Sequence, residues 1–160
     1  MIYLFLFISI ILDYLFPYFI PSFFNKLSLF YPMFTLTYLV FIYNKINYKK
    51  YLKLIIIGGL LYDILFSYLF IFNTIIFYIF SKIMKKINKY IEFNNIIKIL
   101  ILLLFIFLYD LILFLLIYIS KYNIVNINNL IYKYSHSIII NILFFIWLII
   151  IFKNKSLKNK

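Results

Sequence analysis

The chain has 160 residues, 68% hydrophobic and 24% aromatic, and its formal charge of +12 comes entirely from lysine on the basic side. A soluble domain of this length has too little interior to hold that apolar surface, so the composition points to an all-α integral membrane protein. The absence of cysteine excludes disulfides and thiolate metal sites, and lysines that flank apolar runs read as topogenic charge, not as a nucleic-acid surface.

In chain order, apolar stretches run over residues 1–20, 27–43, 51–83, 96–119 and 130–152. The N-terminal stretch has no basic start and no small-residue cleavage site, and reads as a retained span. Pro17 and Pro21 are expected to end or kink it, and Pro32 sits early in the second stretch. The third stretch would reach about 50 Å as one helix, against a hydrocarbon core of about 30 Å. It is therefore either a tilted single helix or a hairpin turning between Ser67 and Asn73.

Lysine placement selects the hairpin. With six spans, at about 1–20, 27–43, 51–66, 68–83, 96–119 and 130–152, one side holds only Lys26, Lys121 and Lys133. The other thirteen lysines, from Lys45–Lys53, Lys82–Lys98 and Lys153–Lys160, share the opposite side. That is the asymmetry the positive-inside rule requires, with both termini cytoplasmic. Five spans would put residues 45–53 and 82–98 on opposite faces and abolish it. Residues 1–153 are thus expected to be one six-span domain, 84–98 a cytoplasmic linker, and 154–160 a basic tail.

Three of the four acids, Asp13, Asp63 and Asp110, lie inside apolar runs. A carboxylate at bilayer depth costs roughly 2.5–3.5 kcal/mol on insertion scales, so it faces protein and not lipid. Each lies 12 residues from its lysine-side end, about 18 Å at helical rise, and Asn141 comes to a similar height. The four define an intramembrane polar layer. Such a layer serves as glue between helices, as a partner-binding site or as part of a transport path. Gly58 and Gly59, one turn before Asp63, would let another helix approach closely, and Asn73 supplies turn or capping chemistry after the break. Leu-Tyr-Asp recurs at 61–63 and 108–110, which in so Leu- and Tyr-rich a chain reads as coincidence. The lone His136 with its serine neighbours reads as a helix end, and Trp147 as packing inside the last span. No nucleophile–base set, phosphate loop or metal cluster stands out, so neither an enzyme nor a cofactor is expected.

Pro32 opening the second span, a lysine loop, Gly58-Gly59-Leu-Leu-Tyr-Asp63 and Phe72-Asn73-Thr74 together resemble the rod shape-determining protein MreD family. Gly59 and Asp63 match its Gly-x-x-x-Asp spacing, and Asn73 its polar residue after the break. Met33 and Phe72 depart from the acid or amide and the glycine common there. The resemblance implies a non-catalytic inner-membrane subunit of the bacterial cell-elongation machinery. It implies as partners an MreC-like single-span scaffold, the actin-like MreB, and RodA with its transpeptidase. The family is similar in architecture to substrate-binding subunits of energy-coupling-factor vitamin transporters, which supply the alternative reading.

Overall fold

The structure, a computed structural model, describes residues 2–19, 32–66, 71–119 and 127–158. Those residues form six helices and no strand: α1 (Ile2–Phe19), α2 (Phe34–Ile42), α3 (Tyr48–Phe66), α4 (Phe72–Ile87), α5 (Asn95–Ile119) and α6 (Ile127–Lys158). Each successive pair, α1 with α2, α3 with α4 and α5 with α6, packs together. Few residues separate α3 from α4 and α5 from α6, and short connections of that kind favour antiparallel neighbours. Residues 51–83 are two helices, and Ile71 before the second adopts a left-handed conformation with φ 71°. Asn44, in the α2–α3 connection, does the same with φ 66°, a conformation its short polar side chain tolerates.

The second helix differs most from the sequence expectation. Within the proposed span 27–43, residues 27–31 lie outside the described region, and the helix itself has nine residues. Pro32 precedes α2 and is not part of it, because Met33 takes the N-cap position. At helical rise α2 is about 14 Å long, half of what crossing a bilayer requires. Every one of its nine residues is buried. It packs against α1, α3, α5 and α6 and forms the centre of the bundle. Tyr38, Phe41 and Ile42 of α2 join Leu54 and Ile55 of α3, Leu102, Phe105 and Ile106 of α5, and Phe145 and Leu148 of α6 in the core. Ring contacts close the outer circle: Phe80 stacks on Phe105 at 4.2 Å between α4 and α5, and Phe5 meets Phe152 at 5.2 Å between α1 and α6.

Other boundaries shift by smaller amounts. α1 continues two residues beyond Pro17, so that proline does not end the helix. The linker shrinks to residues 88–94, and α6 extends through Lys158 into the expected tail. Trp147 is 43% exposed and packs on the rings of Phe144 and Phe5. Pro21, Lys26 and Lys121, and the side chains of Lys133 and His136, lie outside the described residues.

Large apolar side chains cover much of the outside, among them Leu4 and Phe7 of α1, Leu100 and Leu104 of α5, and Leu143 and Ile150 of α6. One helix, over Asn95–Leu116, is long and apolar enough to cross a membrane; Ile2–Phe16 and Ser137–Lys153 are shorter apolar helices.

Candidate functional site: two carboxylates at helix N-termini

The first N–H groups of a helix have no partner within it, and a helix that begins inside apolar packing must find acceptors elsewhere. Both short helices find them in an aspartate of the preceding helix. Asp13 of α1 accepts the backbone N–H of Phe34 through Oδ1 at 2.7 Å and that of Thr35 through Oδ2 at 2.9 Å. Asn141 of α6 completes this end: its Oδ1 accepts the Met33 N–H at 3.0 Å and the Thr37 hydroxyl at 2.9 Å. The Asn141 amide donates to the Ser137 carbonyl of its own helix at 2.8 Å, which orients the side chain.

Asp63 of α3 repeats the device at α4. Its Oδ1 accepts the Asn73 N–H at 2.7 Å and the Asn73 Nδ2 at 2.9 Å. Its Oδ2 accepts the Thr74 N–H at 3.0 Å and the Thr74 hydroxyl at 2.8 Å. These four contacts are all donors, the surroundings that suit an acceptor-only carboxylate. Charge at a helix N-terminus adds favourable interaction with the helix dipole, about 0.3–2 kcal/mol depending on burial. Tyr109 of α5 donates its hydroxyl to Asn73 Oδ1 at 2.7 Å, so the same amide ties α3 to α5.

The glycines make this approach possible. A Cβ on Gly59 would lie 2.5 Å from Thr74 Cα, a backbone atom of the facing helix. Gly58 faces α1 instead, where a Cβ would meet Leu6 Cδ1 at 3.1 Å. Asp63, Gly58, Gly59, Asp110, Asp13, Asn73 and Asn141 are all buried. They are therefore turned toward neighbouring helices of this chain, and do not form an outward-facing surface.

The two capped ends border the same central space. Met33 at the first and Tyr109 at the second, with Leu36, Tyr62 and Phe77, enclose a central gap that has no room for a water molecule. Tyr109 lies within electrostatic reach of all three aspartates. Among the described residues, no group of three histidine, aspartate or glutamate side chains is placed to hold a metal.

The opposite end of α2 carries a residue that sequence reading assigned to the loop. Lys98 belongs to α5, is 4% exposed, and donates through Nζ to the carbonyls of Phe41 at 3.1 Å and Tyr43 at 2.6 Å. A lysine at the last carbonyls is the favourable sign for a helix C-terminus. No local signal distinguishes it from its neighbours, because its partners are more than fifty residues away.

Comparison with known protein families, characterised proteins and solved structures finds no significant match.

Proposed function

We propose that the chain is a six-span, non-catalytic subunit of the bacterial cell-elongation machinery, with both termini cytoplasmic, that binds a single-span scaffold through its outer helix faces. The observation that carries this reading is the unit built by Gly59, Asp63 and Asn73. The three residues behind the resemblance to the MreD family meet at one helix–helix junction, where Asp63 holds the start of α4 and Gly59 admits Thr74. The apolar exterior supports insertion in a bilayer, since a soluble monomer rarely exposes contiguous apolar patches above a few hundred Å². The gap at the centre has no room for a ligand, so the vitamin-transporter alternative would have to use the open apolar groove of about 350 Å³ lined by Leu12, Phe34, Ile140, Leu143, Phe144 and Trp147, which is within the roughly 300–1,000 Å³ of ligand pockets.

Its polar residues are spent on the fold, leaving helix faces as the contact surface. Organising lateral wall synthesis through MreC-, MreB- and RodA-like partners then calls for a rigid membrane platform and no reaction centre. The test is purification from bacterial membranes together with a single-span, coiled-coil scaffold protein and an actin-like protein. Co-purification of the scaffold supports the reading. Recovery of a bound vitamin-sized molecule without the scaffold overturns it.

A further inference from the structure

The lysines and the exposed apolar residues meet along one boundary. On α3, Lys53 is exposed and is followed one turn later by exposed Ile56 and Ile57. On α4, which runs the other way, exposed Tyr78 and Ile79 precede exposed Lys82 by one turn. The pairing of Gly59 with Thr74, and of the Tyr51 hydroxyl with the Met84 sulfur at 3.6 Å, sets Lys53 and Lys82 at the same height. α6 changes from exposed Ile150 to exposed Lys153 in the same sense. Antiparallel neighbours that switch from apolar to cationic at one height give the pattern that a bilayer surface calls for.

Asp13, Asp63 and Asp110 are buried, so Glu92 is the one remaining acid of the chain's four. The Lys82 ammonium sits 5.1 Å from the Tyr78 ring centroid, with the Tyr78 side chain as its electrostatic partner.

We propose that the α3–α4 face binds anionic phospholipid, its headgroup phosphate held by Lys53 and Lys82 and its acyl chains lying along Ile56, Ile57 and Ile79. The proposal rests on the membrane reading above. A lysine near an anionic leaflet contributes on the order of fivefold in association.

The test reconstitutes the whole chain in phosphatidylcholine vesicles and measures association of spin-labelled phosphatidylglycerol against spin-labelled phosphatidylcholine. A severalfold preference for phosphatidylglycerol is expected, weakening as salt rises. The double variant Lys53→Gln/Lys82→Gln should bring the preference close to parity, and Lys53→Arg/Lys82→Arg should retain it. Equal association of the two lipids with the native chain overturns the proposal while leaving the membrane reading intact. A preference undiminished in the glutamine variant overturns it as well. A chain that stays with the aqueous fraction removes the membrane reading and the proposal with it.

Discussion

Asp13 and Lys98 hold opposite ends of the same nine-residue helix: the carboxylate takes the N–H groups of Phe34 and Thr35, and the ammonium takes the carbonyls of Phe41 and Tyr43. Their charges have the signs that complement the dipole of α2. The first N–H groups and the last carbonyls of α2 are buried, where solvent does not serve the backbone. Three other helices supply what water would: α1 gives the carboxylate, α6 the Asn141 amide, and α5 the ammonium.

Removing the carboxylate should therefore loosen the centre of the bundle. Asp13→Ala strands two buried N–H groups, and leaving a buried donor without its acceptor costs about 1–3 kcal/mol. We expect a loss of about 2–4 kcal/mol, and about half that for Asp13→Asn, which keeps one acceptor oxygen. Thermal unfolding in detergent should rank native above Asp13→Asn above Asp13→Ala. Equal midpoints for all three would mean that α2 does not depend on Asp13.

At the other terminus, Lys98→Met leaves the Phe41 and Tyr43 carbonyls without this donor but also removes a buried charge. The two effects oppose one another, and a net loss of about 1–2 kcal/mol is expected. On the six-span reading proposed above, orientation should not change, because other lysines at that end outnumber it. Unfolding midpoint and protease accessibility of the termini separate these: the first should fall and the second stay as in the native chain.

Gly58 and Gly59 are neighbours in sequence with different tolerances. Gly59→Ala places a methyl group against Thr74 Cα, so the helices must separate and the Asp63 contacts lengthen. Overpacking of this kind costs about 1–3 kcal/mol. Gly58→Ala meets only the end of the flexible Leu6 side chain and gains helix propensity of about 1 kcal/mol over glycine, so its net effect should be close to zero. Comparable destabilisation by both substitutions would contradict the packing described for α3 against α4. Binding of a scaffold partner should follow the same order, since a displaced α4 alters the outer face.

Much of the scaffold was readable from where apolar runs meet lysines. The hairpin in residues 51–83, for example, follows from charge placement, although Ser67–Ile71 contains neither glycine nor proline. Helical rise turns sequence distance into depth, which is the basis for expecting Asp13, Asp63, Asp110 and Asn141 at one height, and all four are buried. What each acid bonds was not readable. Asp13 reaches a helix start 21 residues on, across a segment whose path no local pattern specifies. Lys98 looked like its loop neighbours because burial of a lysine depends on carbonyls brought near by tertiary packing. Pro32 marked a boundary, yet whether it opened a full span or a half-length central helix depended on the other helices surrounding α2.

Among the described residues, the start of α4 is where the backbone conformation is least suited to its residue. Ile71 has φ 71°, a left-handed conformation that costs an L-residue about 1–2 kcal/mol, more so when the side chain is β-branched. Its side chain is 37% exposed, so little packing offsets that cost. Ile71→Gly removes the strain but gives the unfolded chain more freedom, an opposing effect of about 0.5–1 kcal/mol. A net gain of up to about 1 kcal/mol is expected. Ile71→Asn should achieve a similar gain, since asparagine tolerates this region without glycine's entropy. Ile71→Val keeps the β-branch and should leave the unfolding midpoint unchanged. A midpoint that falls for both glycine and asparagine would show that the isoleucine side chain, and not the turn conformation, governs the junction between α3 and α4.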